Sequence, residues 1–187
     1  VTDYLLAHPP SRWSLRWAGE HLPGFLRGHA CGAERPWLAD VAALEGARNE
    51  AFQARDAEPV RPEALAAVAP EEWPALTFGA VPGAVLRPSP WDLAGWWDGD
   101  GSEPPAEAPE GQVLLVWRDE SNDVRHEPLA ADDAEAVRRL FSGAPFAEVC
   151  EAYAPEGADE AEAEEAGRRA VTLLLTMIGR RALTAGA

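Results

Sequence analysis

Lysine is absent from this chain: all sixteen basic residues are arginine, set against 32 acidic ones, for a net charge of −16. That balance excludes a broadly basic surface, the ordinary means of neutralising a phosphate backbone. An acidic protein can still carry a local basic face, so position matters as well as sum. Cysteine is nearly absent. Cys31 and Cys150 stand far apart, which excludes a disulfide framework and predicts two reduced, partly buried thiols. No apolar run approaches the ~20 residues of a membrane span, so no membrane partner is expected. No signal-peptide layout opens the chain, which makes the cytoplasm the default location.

Chemistry-bearing motifs are equally scarce. His29 and Cys31 lie two apart, but His8, His21 and His126 are scattered, and no second cluster completes the three or four ligands a metal needs. There is no glycine-rich phosphate loop and no arguable Ser/His/Asp arrangement. The glutamate-rich run 160–165 reads as a solvated helix start, and His29 and Cys31 as loop and packing residues. No residue is assigned a catalytic role, and neither a metal nor a cofactor is expected in the chain itself. What the sequence does hold is apolar: 47% hydrophobic residues and eight tryptophans predict a folded protein, as one large domain or two small ones.

Residues 1–73 read as a helical unit. His8-Pro9-Pro10 stops a first helix, because proline lacks the amide donor and disfavours helix in the residue before it. Ser11 and Ser14 are candidate N-caps of a second helix carrying Leu15, Trp17, Ala18 and Leu22, which Pro23 kinks or breaks. Pro36 suits a first helical position. From there Trp37, Val41, Leu44, Ala47, Ala51 and Phe52 recur at three-to-four spacing, predicting a helix of about five turns. A short helix from Pro62 to Val68 and a turn-rich joint at Pro70–Pro74 follow.

Residues 74–187 mix strands and helices. Ala75 to Pro88 reads as extended, interrupted at Pro82-Gly83, and Trp91–Trp97 as a short helix. Asp98 to Gly111, acidic and rich in proline and glycine, predicts a mobile loop. Val113–Trp117 and Val124–Leu129 are strand-like, joined across 119–123 as a hairpin. Asp132 or Asp133 can cap a helix with Ala136, Val137, Leu140 and Phe141, ended by Gly143. Pro145 opens another with Phe146, Val149, Cys150 and Tyr153. A last helix spans roughly 161–183, with glutamates at its start and Arg180 and Arg181 at its end to complement the macrodipole. The expected class is α+β: a helical N-terminal unit plus a small antiparallel sheet with a three-helix, winged-helix-like C-terminal unit.

The segments His8-Pro9-Pro10-Ser11, Leu22-Pro23-Gly24-Phe25-Leu26 and Pro36-Trp37-Leu38-Ala39-Asp40 through Ala51-Phe52 resemble the BufC/HvfC-type family, long labelled DNA-binding. So do Val113–Arg118, Val124-Arg125 and Gly143 through Phe146, and the likeness covers most of residues 4–153. Members of that family carry further helices, with a Tyr-Arg-x-Asn-like segment, ahead of the position equivalent to Tyr4. The resemblance implies a non-catalytic partner of a multinuclear non-heme iron-dependent oxidative enzyme, forming a heterodimer with it. In that role it binds a ribosomally made precursor (leader) peptide, and the iron sits in the partner enzyme. Holding the leader near an active site makes delivery of the core peptide nearly intramolecular. The helical unit is expected to dock the enzyme and the C-terminal unit to grip the leader.

Such a scaffold can capture a leader by strand addition to an exposed sheet edge. The candidate peptide-binding residues are Leu115 and Trp117 on the strand, with Arg118, Arg125, Arg168 and Arg169 as bidentate partners for acidic side chains. The plainer alternative pairs these arginines with the abundant local glutamates. Trp13, Trp17, Phe25, Trp96 and Trp97 are the candidates for contact with the partner enzyme, since aromatics are enriched in interface cores; core packing is the alternative. The rival function is a DNA-binding transcriptional regulator, from the helix-turn-helix-like layout of 133–142 and 145–153. Its second helix carries Glu148 and Glu151 and no arginine, which repels phosphate.

Overall fold

Proline and glycine decide where the elements start and stop. The computed structural model describes residues 1–10, 12, 17–99, 102–154 and 156–186. Helix α1 (Thr2–Ala7) ends at His8, ahead of Pro9-Pro10. Ser11, Trp13, Ser14 and Leu15 lie outside the described residues. Helix α2 (Leu22–Gly28) holds Pro23 in its first turn, so this proline opens a helix instead of breaking one. The amide it lacks would have had no helical acceptor there. A short α3 (Ala30–Glu34) follows, with the His29 Nδ1 accepting from the Cys31 amide at 3.2 Å.

Helix α4 (Leu38–Gln53) buries Ala39, Val41, Leu44, Ala47 and Ala51 along one stripe. Phe52, expected on that stripe, is 64% exposed: one residue past Ala51 is ~100° further round the helix. After α5 (Pro62–Ala66) and a 3₁₀ turn (Pro70–Ala75) the strands begin.

Two antiparallel sheets form. Strands β2 (Val85–Trp91), β3 (Glu107–Arg118) and β4 (Val124–Leu129) lie in the order β2-β3-β4, with α6 (Leu93–Asp98) between β2 and β3 in sequence. The smaller sheet pairs β1 (Phe78–Ala80) with β5 (Leu183–Ala185). Helices α7 (Ala131–Ser142), α8 (Phe146–Cys150) and α9 (Glu160–Gly179) complete the chain. Gly143 ends α7 at φ 81°, the left-handed cap expected of it. The last helix stops at Gly179, short of the predicted 183, because the chain turns at Arg181 to make β5.

The apolar run Val113–Trp117 is explained by burial on both faces. Side chains alternate along a strand. Leu114 and Val116 pack with Val41, Leu44, Ala47 and Ala51 of α4 and Leu93 of α6. Leu115 and Trp117 pack with Val137 and Leu140 of α7, Val149 of α8 and Leu174 and Met177 of α9. The sheet is therefore a middle layer, and α4 shares a core with it. Residues 60–76 join the other side: Leu65 is in the α7–α9 core and Trp73 packs edge-on to Phe146, with ring centroids 5.9 Å apart.

Of the expected mobile loop 98–111, Asp100 and Gly101 lie outside the described residues, and much of the rest is held. Residues 107–111 begin β3, the Asp92 amide donates to the Ala106 carbonyl at 2.8 Å, and Trp96 Nε1 donates to the Glu103 carbonyl at 2.7 Å. Gln112 Oε1 accepts from the Leu93 and Ala94 amides. Composition alone reads Pro and Gly as freedom; here Trp96 holds Glu103 and Gln112 holds the start of α6. No helix among the described residues is long and apolar enough to cross a membrane.

Candidate functional site

The feature with the clearest capacity to bind is the outer edge of β4 and the groove beside it. The parity of the β3–β4 ladder follows from the pairing. Asp119 donates its amide to the Asp123 carbonyl at 2.9 Å, so Trp117–Arg125 and Leu115–Glu127 are the hydrogen-bonded pairs further in. Pro128, opposite Leu114, has no amide to give and falls in the alternate set. The main-chain groups of Val124, His126 and Pro128 thus face away from β3. Among the described residues they have no hydrogen-bond partner on that side. The opposite edge is guarded: β2 carries Pro88, opposite Val113, and Pro90 at a bulge. Proline on an edge strand blocks strand addition.

Alongside β4 runs a groove of about 420 Å³, between Glu127, Pro128 and Leu129 on one wall and one face of α9 on the other. That face is Glu165, Arg168, Arg169, Thr172, Leu173, Thr176 and, past the helix end, Arg180. The three- and four-residue spacing places them on one stripe, while Ala166, Ala170, Leu174, Met177 and Ile178 bury the other. The Thr172 and Thr176 hydroxyls donate to the carbonyls one turn back, each at 2.9 Å, which leaves their lone pairs for an incoming donor.

The sequence-predicted arginines divide. Arg168 and Arg169 line the groove; Arg118 lines a different cavity, and Arg125 lines neither. Each is already ion-paired. Arg168 lies 2.6 Å from Glu164 and 2.8 Å from Glu165, which raise its pKa further. Arg169 is 3.0 Å from Asp132 and sits 4.3 Å over the Tyr153 ring. Arg118 meets Asp56 at 2.7 Å, and Arg125 meets Asp119 at 2.8 Å and Asp123 at 3.1 Å. The Arg125 hydrogen bond holds the Asp119 carboxyl below the usual carboxylate range. Tyr153 donates at 2.6 Å to Asp133, a residue of the groove lining, and burial, then Asp133, pushes its phenol pKa up.

Leu115 and Trp117 are corrections. Both sit on the central strand, Leu115 fully buried and Trp117 6% exposed, so neither reaches a bound chain without opening the core. The edge belongs to β4, whose polar sequence did not advertise it. The groove residues missed from sequence are Glu127, Asp133, Thr172, Thr176 and Arg180; the polar stripe on α9 was the available signal. Arg180 forms an ion pair with Glu127 and lies 5.3 Å over the Trp117 ring.

Behind the β4 edge, Arg48 of α4 donates to His126 Nδ1 at 2.7 Å. A guanidinium only donates, so the ring proton is on Nε2. Trp97 packs edge-on to the same ring at 5.2 Å, under Arg48 at 4.7 Å. Burial, then Arg48, lowers the His126 pKa, while Asp98 opposes them.

The aromatic candidates form two groups. Trp17 and Phe25 belong to the N-terminal set: Arg12 lies 4.2 Å over Trp17, and Phe25 stacks on His29 at 4.8 Å and meets Tyr4 at 5.4 Å. Trp96 and Trp97 pack beneath α4 with Trp37 and Trp91. All four are half-buried, and Trp13 is outside the described residues. Among the described residues no group of three or more His, Cys, Asp or Glu is placed to hold a metal ion. Compared with known proteins, the chain matches no family model and no curated protein.

Proposed function

We propose that this chain is a non-catalytic partner protein that captures a ribosomal precursor peptide and presents it to an iron-dependent oxidative enzyme. The observation that carries the reading is the unpaired β4 edge lying beside the α9 groove. An extended peptide pairs its main chain with Val124 and His126 and lays side chains against Leu129 and Leu173. The sheet β2-β3-β4 followed by α7–α9 is read as a winged-helix-like scaffold turned to peptide recognition, in keeping with the family resemblance. The iron belongs to the partner enzyme, which docks on the helical side through Trp17, Phe25, Trp96 and Trp97, with Trp13 as a further candidate.

Duplex DNA fits this surface less well. Helix α8 has only five residues, with Glu148 on it and Glu151 just after, and the neighbouring Arg138 and Arg139 are tied to Glu135. The deciding experiment is co-purification with a candidate oxidative enzyme, with and without a short precursor peptide. Retention of the enzyme, and of the peptide by the chain, is the expected result; binding to neither removes the reading.

A further inference from the structure

We propose that the cavity between the segment after α4, the β3–β4 hairpin and the turn after α9 is an oxyanion site, in which Arg55, Arg118 and Arg181 receive a carboxylate or phosphate group. These arginines come from three distant parts of the sequence and open onto one space of about 260 Å³. None of its lining residues belongs to the β4–α9 groove, so the site stands apart from peptide capture.

Two of the cavity's cations are left over. Acidic residues outnumber arginines two to one, yet neither the Arg55 nor the Arg181 guanidinium has a carboxylate, carbonyl or aromatic partner among the described residues. Arg118 is fixed in place, with Nη2 2.7 Å from Asp56 and Nη1 3.4 Å from the Phe52 carbonyl, and its side chain is 20% exposed. The cavity's own carboxylates are mostly committed. Asp56 holds Arg118, and Asp119 holds Arg125 and the amides of Ser121 and Asp123. Glu120 is the one carboxylate of the lining without an ion pair, against two such cations.

The backbone points the same way. Asn122 at φ 65° and Arg181 at φ 58° are the left-handed non-glycine residues among the described ones, and both line this cavity. That conformation is costly for an L side chain and persists where the surroundings or a function demand it. The turn at Arg181 both aims a cation into the cavity and starts β5. A guanidinium's planar fork matches a carboxylate or phosphate in two-point contact.

The anion can arrive as a free phosphate or as an acidic side chain of a polypeptide. Two titrations of the full chain at constant ionic strength separate these: inorganic phosphate, and a tripeptide with a central glutamate and both termini capped. The arginine Nε–H signals are followed by NMR. A saturable shift confined to Arg55, Arg118 and Arg181 is expected in at least one arm, and the responding arm identifies the source. Losing charge-assisted hydrogen bonds in the pair Arg55→Gln and Arg181→Gly should weaken binding at least about tenfold. Glycine suits the left-handed backbone, so this variant keeps its fold, checked by its melting curve. Arg35→Gln, outside the cavity, should bind like the parent. Silence in both arms, shifts spread over all arginines, or saturable binding that survives the double variant would overturn the site.

Discussion

Proline substitution along β4 discriminates the two faces of its backbone. Arg125 is in the hydrogen-bonded set, so Arg125→Pro removes a ladder bond to the Trp117 carbonyl. Trp117 is 6% exposed, so that carbonyl is stranded in the interior. A lost bond at about 1 kcal/mol and an orphaned acceptor at about 1–3 kcal/mol give a cost of roughly 2–4 kcal/mol. For a chain of this size that lowers Tm by roughly 5–15 °C. Val124→Pro removes an amide that faces outward and leaves the ladder whole, so it should cost under about 1 kcal/mol, as the native Pro128 already implies. Arg125→Ala controls for the ion pairs to Asp119 and Asp123, and Val124→Ala for the side chain that packs beside α4. Thermal melts measure the stability contrast, and calorimetric titration with the precursor peptide measures binding. Val124→Pro should bind roughly fivefold more weakly, the worth of one hydrogen bond. Equal destabilisation by the two prolines would refute the parity. Unchanged peptide affinity in Val124→Pro would refute strand addition at β4.

The His126–Arg48 contact makes stability depend on pH near neutrality. Burial and Arg48 lower the folded-state pKa below 6.5, so the unfolded chain binds this proton more readily. Its contribution is therefore complete above about pH 6.5 and is lost as pH falls toward the lowered value. The slope should stay well below the ~1.4 kcal/mol per pH unit of a whole proton, because solvent screens a half-buried ring. Urea midpoints between about pH 7.5 and about pH 5.5 should fall in the parent and fall less in His126→Gln; parallel curves would exclude the histidine as their source. Gly83→Ala probes the packing of the β1–β2 turn on α4. Gly83 has φ 86°, and an added Cβ would lie 2.8 Å from Ala51 Cα and from Ala54 Cβ. A left-handed residue at about 1–2 kcal/mol and overpacking at about 1–3 kcal/mol sum to roughly 2–5 kcal/mol. A change under about 1 kcal/mol in denaturant titration would show that the turn relaxes freely.

The elements with strong local signals were legible. The α4 stripe, the β3–β4 hairpin and the Gly143 cap follow from spacing alone, whereas the apolar residues 171–178 suggest a last helix buried nearly all round and the structure leaves one face open, with Leu175 50% exposed. What could not be read was position within the sheet. Val113–Trp117 looked like a binding strand because it is apolar, but an uninterrupted apolar run marks a strand covered on both faces. The real edge, Val124-Arg125-His126-Glu127-Pro128-Leu129, is polar through its middle, with its one proline at the far end, so no apolar run marks it. The β1–β5 sheet was invisible because three residues carry no period; Leu183, Thr184 and Ala185 become a strand only through long-range pairing with Phe78–Ala80. Pro23 misled for a related reason: one proline closes a helix or opens one according to which flank has the turn.

On the proposed reading, the arginines of the groove bear on which peptide binds more than on how tightly. Arg168, Arg169 and Arg180 each hold a carboxylate already, so an acidic peptide side chain would exchange one ion pair for another. Exchange between solvent-exposed partners changes little free energy. Affinity on the proposed surface must then come from main-chain pairing at Val124 and His126 and from apolar side chains covering Leu129 and Leu173. Charge acts earlier, on encounter. A net −16 repels an acidic peptide at long range, and a stripe of arginines beside the open edge is the local relief that lets it approach in one orientation. The same reasoning disfavours a basic peptide at this groove: its cations would compete for Glu127, Glu165 and Asp132 and take from Arg180 and Arg169 their only carboxylates, while Arg168 keeps Glu164. Selectivity by exchange, with affinity supplied by the backbone, is how an acidic, lysine-free protein can hold an extended chain without a basic surface.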